Sequence, residues 1–117
     1  MKMVANMNAI VNNRNLLKLL LKDKAGSGSS VSIQFLLSMM NYIPIIEPEE
    51  FTVCPVLLAH PEDDKWTPVE ISKIFFDNIK AAKKLIILEK SGHFPIETPG
   101  LQQLESGCIE FINNGIN

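Results

Sequence analysis

The chain has 117 residues, 46% of them hydrophobic and 21% charged, and a formal net charge of −2. This size and balance predict one small folded domain and argue against disorder. A slightly acidic chain has no general attraction for nucleic acid, so we expect no nucleic-acid partner. No apolar run reaches the roughly 20 residues that span a bilayer, and no signal peptide is recognisable. We therefore expect a cytoplasmic location and no membrane association.

The first 50 residues predict two helices. Within residues 9–22 apolar side chains recur at helical spacing, and the opposite side carries a stripe of three cations, Arg14, Lys18 and Lys22. This stripe is interpreted as a solvated face or, alternatively, as a face that docks on an acidic partner or membrane surface. After the GSGSS turn at 26–30, a second helix is predicted from near Ser30, and Pro44 prevents its continuation.

The second half of the chain alternates between strand and helix patterns. Residues 54–60 form an apolar run typical of a buried strand, and a helix is predicted to follow with Thr67 as its N-cap. Residues 85–89 predict a second strand, and a last helix follows Thr98 and ends before Gly115. The alternation predicts a parallel β-α-β-α unit, in which ligands bind beyond the carboxyl ends of the strands.

Polar side chains follow both predicted strands. Acids in a loop such as residues 60–66 usually cap helices or hold turns, but the predicted cap at Thr67 leaves Asp64 without that role. A lone histidine such as His93 is more often structural than catalytic. If the strands are adjacent and parallel, however, both loops emerge at one edge, and Asp64 can reach His93. The carboxylate would then fix the imidazole tautomer and leave the other ring nitrogen as a general base.

These residues carry a resemblance to a known family. The run PVLLAHPEDDKWTPVE, followed by the histidine of SGHFPIETPG, resembles the last third of α/β-hydrolase-fold enzymes. In that family a strand is followed by the catalytic aspartate, a proline four residues later begins a helix, and the catalytic histidine lies between a glycine and a glutamate-x-proline. Aligning Pro68 with that proline selects Asp64, with Asp63 as second choice. The second motif matches Gly92, His93, Glu97 and Pro99, and the resemblance covers residues 54–115.

The resemblance implies a partial α/β-hydrolase fold. Residues 1–50 would be a helical, cap-like segment, and residues 51–117 the C-terminal β-α-β-α portion of the domain. The complete enzyme would be a serine esterase or lysophospholipase-like protein that hydrolyses a small-molecule ester or a related acyl compound. Asp64 would be its acid and His93 its general base. Neither a cofactor nor a metal ion is expected.

The sequence departs from the family pattern in its nucleophile. The 117 residues contain no G-x-S-x-G, and GSGSS follows a helix, whereas a nucleophile elbow follows a strand. Pro61 also stands where the family commonly has glycine. We therefore expect these residues to be inactive alone. The alternative is a non-catalytic oligomeric or partner-binding protein derived from the fold. Because two strands alone leave an open edge, we expect a homo-oligomer, most simply a dimer, or a partner that supplies the missing N-terminal half.

Overall fold

The computed structural model describes residues 7–23 and 32–115. Within them lie two strands and four α-helices, a mixed α/β arrangement. In chain order these are α1 (Arg14–Lys22), α2 (Ile33–Met40), β1 (Val56–Pro61), α3 (Val69–Asn78), β2 (Lys83–Leu88) and α4 (Gly100–Asn114). Short 3₁₀ turns occupy Met7–Ala9 and Pro48–Glu50. The GSGSS segment lies outside the described residues.

The two strands form a parallel sheet. Their register runs from Val56 opposite Lys83 to Pro61 opposite Leu88, and the bond from Val56 N to Ala82 O (3.0 Å) opens the ladder. The predicted parallel β-α-β-α order is therefore confirmed. Because neighbouring parallel strands end at the same edge of a sheet, the loops that follow β1 and β2 emerge side by side.

Helices α3 and α4 cover opposite faces of the sheet. Leu58 and Leu85, which are opposite each other in the register, pack against the buried cluster of α3 and the segment after it: Phe76, Ile79 and Ala81. Ile86 points to the other face, where its side chain lies against Gly107 of α4. Successive side chains of a strand alternate between faces, so the apolar run of each strand has cover on both sides, as the sequence pattern predicted.

A lysine of β2 binds the C-terminal end of helix α3. The helix stops at Asn78, and Ile79 is its extended C-cap. Lys83, at the start of β2, reaches back and donates from Nζ to the carbonyl oxygens of Phe76 (3.0 Å) and Ile79 (2.8 Å). A lysine ammonium at this position stabilises the helix end, because it satisfies carbonyl groups that have no partner within the helix.

The N-terminal helices differ more from their predictions. Helix α1 begins at Arg14, because the side chain of Asn13 caps it by accepting from Asn15 N (2.9 Å). The preceding Ile10 and Val11, predicted as helical, instead lie buried in a non-helical segment, at 3% and 2% exposure. Helix α2 leaves its large apolar side chains largely exposed, from Leu37 (52%) to Met40 (78%). Among the described helices, none is long and apolar enough to cross a membrane.

Candidate active site

The acid loop consists of residues 62–68, between β1 and α3. Its backbone is tied to the loop that follows β2. Glu62 N donates to Leu88 O (2.9 Å), and Asp63 N donates to Ser91 O (3.1 Å). The side chain of Glu62 adds a third link, because its Oε2 accepts from Lys90 N (3.1 Å). These bonds continue the strand ladder beyond the sheet. The loops carrying the acid and the histidine are therefore held at a fixed separation.

The two oxygens of Asp64 have different partners. Oδ1 accepts from the backbone N–H groups of Trp66 (2.8 Å) and Thr67 (2.9 Å), and Oδ2 is 2.9 Å from Nδ1 of His93. The prediction that Asp64 has no cap or turn to hold is therefore wrong, because its Oδ1 holds the turn at Trp66 and Thr67. Pro68, which is extended at ψ 145°, is the N-cap of α3, and Thr67 forms no side-chain cap. Asp64 does not cap α3, because the two N–H groups that it binds precede the N-cap of the helix.

The carboxylate is much more buried than the imidazole. The side chain of Asp64 is 3% exposed and that of His93 is 29% exposed. Burial raises the pKa of Asp64, but hydrogen bonds from Thr67 N, His93 and Trp66 N outweigh it, and the net result is a pKa below the usual value of 3.8. Asp64 is therefore an anion at neutral pH, and the ring beside it stays accessible from solvent.

The His93 ring is held by two aromatic neighbours as well as by the carboxylate. Trp66 contacts it edge-on, with ring centroids 4.8 Å apart at 71°, and Phe94 stacks beside it at 5.7 Å. An ionised carboxylate accepts hydrogen bonds only, so Nδ1 donates to Asp64 when the ring is neutral. This tautomer leaves the lone pair of Nε2 free. No described residue forms a hydrogen bond with Nε2, so this nitrogen can accept a proton from a substrate or nucleophile.

Glu97 fixes the loop on which His93 lies. Its Oε2 accepts from Gly92 N (2.9 Å), and its Oε1 accepts from Asn12 N (2.7 Å) and Asn13 N (2.9 Å). Phe94 N also donates to the carbonyl of Ile10 (2.9 Å), which lies in the same N-terminal segment. The segment that precedes α1 therefore packs against the loop that carries His93 and holds it in place by hydrogen bonds.

Gly92 permits this close approach. A Cβ atom at this position would lie 3.0 Å from Asn12 N and 3.0 Å from the Cα of Val11. Such distances are shorter than a normal van der Waals contact, and the surrounding backbone has little freedom to move away. A side chain at this position would push residues 11–12 away, so the tight packing favours a glycine before the histidine.

A comparison with family models finds no match for this chain, and a search of curated proteins also finds none. The geometry is therefore the basis for any functional conclusion. It brings Asp64 and His93 together, as predicted from their positions after adjacent strands. Asp63, the second choice for the acid, contributes only backbone groups to the described hydrogen bonds. The catalytic roles of both residues stay predictions.

The other polar side chains near the site have structural partners. His60 is 5% exposed, and its Nδ1 is 2.9 Å from Pro61 O. Ser91 is fully buried, and its hydroxyl lies within reach of the carbonyl oxygens of Leu88 (3.3 Å) and Glu89 (3.2 Å). Among residues 7–23 and 32–115, no group of three or more His, Cys, Asp or Glu side chains is placed to bind a metal ion.

Proposed function

We propose that Asp64 and His93 are the acid and general base of an ester-hydrolysing site of the α/β-hydrolase type, in which a serine from outside these 117 residues is the nucleophile. The observation that supports this most directly is the 2.9 Å contact between Asp64 Oδ2 and His93 Nδ1, at the carboxyl ends of two adjacent parallel strands. The resemblance of both loops to the family motifs supports the same assignment.

The proposed chemistry uses both ring nitrogens of His93. Nε2 would take the proton of the serine hydroxyl as its oxygen attacks the ester carbonyl, and would then give that proton to the departing alcohol. In the second half of the reaction, Nε2 would take a proton from the water that attacks the acyl-serine carbonyl, and would return it to the serine oxygen as the acyl–serine bond breaks and the carboxylic acid leaves. Asp64 would hold Nδ1–H throughout and stabilise the imidazolium that forms in each step.

The described residues offer no nucleophile to His93. The hydroxyl of Ser91, the serine nearest to it in sequence, is buried and within hydrogen-bonding reach of two carbonyl groups. Cys54 is an exposed free thiol, but it precedes β1 and so lies at the opposite end of the strand from Asp64 and His93, the candidate dyad. No serine hydroxyl in the described part of the chain forms a hydrogen bond with His93.

The outer edge of β1 is where further strands would join. Val56 N and Glu62 N donate towards β2, so the intervening alternation directs the backbone N–H and C=O groups of Leu57 and Ala59 away from it. Neither residue forms a backbone hydrogen bond at that edge with the described part of the chain. The unpaired ladder ends at Pro61, which has no N–H to donate.

The decisive experiment starts from the transcript that encodes this chain. We expect an extended reading frame, or a partner polypeptide, to contain a strand-G-x-S-x-G-helix segment. The protein that combines both parts should react with a fluorophosphonate probe at one serine, and labelling should fall strongly in the His93→Gln and Asp64→Asn variants but not in Asp63→Asn. Equal labelling of all four proteins would exclude the assigned base and acid. The 117-residue chain alone should remain unlabelled.

A second candidate function, a non-catalytic protein that associates with itself or a partner, is supported by exposed apolar side chains. On α3, Ile74 and Phe75 are 71% and 61% exposed, and on α4 Ile112 is 79% exposed. Phe75 also lines an apolar groove of about 250 Å³ together with Phe51 and Val56, next to the start of β1. Apolar side chains on both helices and an open strand edge together favour association.

Sedimentation velocity at micromolar concentration tests this second function. We expect a dimer or a larger assembly, and we expect Phe75→Lys to shift it towards the monomer. Leu19→Lys is the matched control, because Leu19 is equally exposed (64%) but lies on α1, away from the edge. A compact wild-type monomer across the concentration series would argue against self-association.

A further inference from the structure

A second concave site lies between α1 and the loop that carries Asp64. The cavity has a volume of about 500 Å³, within the range of about 300–1,000 Å³ that is usual for small-molecule sites. Three cationic side chains line it, and they come from two parts of the chain: Arg14, Lys18 and Lys65. Its apolar lining comes from Val11, Leu17 and Leu21. The cavity thus has a cationic part and an apolar part.

The three cations have no anionic partner in the described structure. The ion pairs of the described residues use other lysines, Lys73 with Asp77 and Lys84 with Glu110, and no carboxylate lines the cavity. Like charges that gather around one space repel each other, and a bound anion would remove that repulsion. The chain as a whole has a net charge of −2, so this local positive charge does not reflect a basic composition.

The cavity adjoins the candidate active site. Lys65 directly follows Asp64, and the side-chain amide of Asn12, another lining residue, donates to Asp63 O (3.2 Å). The backbone N–H of Asn12 is in turn bound by Glu97, the carboxylate that fixes the histidine loop. The cationic cavity and the dyad are therefore built on the same loop and the same N-terminal segment.

We propose that this cavity binds an alkyl phosphate monoester. The phosphate, close to a dianion at pH 7.5, would lie among Arg14, Lys18 and Lys65, and the alkyl chain would lie along Leu17 and Leu21. Arginine can bind two phosphate oxygens at once, and the lysines add point charges. This inference goes beyond the proposed hydrolysis, because binding requires no chemistry at His93.

The test is calorimetric titration of the full chain with octyl phosphate below its micelle concentration. Inorganic phosphate and the neutral octyl glucoside should each bind at least about tenfold more weakly, since each lacks one half of the ligand. Substitution of any one lining cation, in Arg14→Gln, Lys18→Gln or Lys65→Gln, should weaken octyl phosphate binding roughly tenfold. All three side chains belong to exposed residues, and Trp66 fluorescence checks that each variant remains folded.

Lys22→Gln is the matched control, because Lys22 continues the stripe of Arg14 and Lys18 by one turn but does not line the cavity. Its binding of octyl phosphate should equal that of the wild type. An equal loss in Lys22→Gln and Lys18→Gln would overturn the proposal, as would inorganic phosphate binding as tightly as octyl phosphate. Binding to anionic phospholipid vesicles but not to free octyl phosphate would also overturn it, and would assign the stripe to a membrane surface. Because the readout is binding, failure here leaves the serine-labelling experiment unaffected.

Discussion

Replacement of Asp64 by asparagine is the most informative single change in this protein. The carboxylate accepts from Trp66 N, Thr67 N and His93 at 2.8–2.9 Å, and its side chain is 3% exposed. Hydrogen bonds to a charged group contribute about 1.5–3 kcal/mol and those to a neutral group about 0.5–1.5 kcal/mol. Asparagine keeps the geometry and loses the charge. We therefore expect the free energy of unfolding to fall by about 2 kcal/mol at pH 7.

The orientation of the new amide follows from its neighbours. If the amide nitrogen faced the N–H groups of Trp66 and Thr67, donors would oppose donors twice, so Oδ1 should stay there and the nitrogen should face His93. Nδ1 must then accept a hydrogen bond, and the proton of the neutral ring moves to Nε2. The base would be lost although the fold remains. Imidazole ¹⁵N chemical shifts, recorded where the ring is neutral, distinguish the two tautomers directly.

The stability difference should also depend on pH. Asp64 has a lowered pKa in the folded protein, because hydrogen bonds from Thr67, His93 and Trp66 outweigh the effect of burial. A carboxyl group of this kind stabilises the fold fully above its unfolded pKa, and the contribution disappears as the pH falls through the lower folded value. The advantage of wild type over Asp64→Asn should therefore persist at neutral pH and shrink below about pH 4.

Urea unfolding followed by Trp66 fluorescence measures both effects, since this residue contacts the dyad and is the only tryptophan in the sequence. Asp63→Asn is the control, because the neighbouring Asp63 contributes only its backbone to the described hydrogen bonds. It should change stability by less than about 0.5 kcal/mol. Equal stability of the two variants, or an unchanged tautomer at His93 in Asp64→Asn, would refute this reasoning.

Two further substitutions test the supports of the site. Glu97→Gln should lower the free energy of unfolding by about 2 kcal/mol, because three backbone N–H groups lose their charged acceptor; Glu105→Gln, an exposed position, is the control in the same urea assay. Gly100→Ala should cost about 2 kcal/mol or more in thermal unfolding, since its Cβ would lie 2.9 Å from Glu89 O and collide with Ser91 Oγ. A Gly100→Ala protein as stable as the wild type would contradict this prediction, because residues 89–91 would then have to move away from the added methyl group.

The parts of the fold that the sequence predicted depend on short-range patterns. The apolar runs gave both strands to within two residues, and the last helix was bounded by Gly115, whose φ of 66° suits glycine. The meeting of Asp64 and His93 followed from one topological rule, that adjacent parallel strands end at the same edge. Each of these predictions needed only residues close in sequence, or the order of the elements.

The parts that failed depend on competition between local alternatives or on distant contacts. Thr67 was a good cap candidate by type, but the N-cap is Pro68, one residue later, and Asp64 holds the turn before it by accepting from Trp66 N and Thr67 N. Glu97 was visible within the family motif, yet its partners Asn12 and Asn13 lie about 85 residues away in sequence. No periodicity connects residues at such a separation, so these hydrogen bonds become visible only in three dimensions.

The two carboxylate oxygens of Asp64 have different roles: Oδ1 holds the acid loop, and Oδ2 contacts the candidate base, His93. Measurements of stability and measurements of catalysis therefore report on different oxygens. The bonds of Oδ1 to Trp66 and Thr67 stabilise the acid loop in an enzyme and in a binding protein alike. A loss of stability in Asp64→Asn is therefore expected under both proposed functions and favours neither. The contact with His93 differs, because its consequence is the position of one proton on the ring. The tautomer shows whether Nε2 of His93 is available as a base, and serine labelling in a protein that contains a nucleophile shows whether it acts as one.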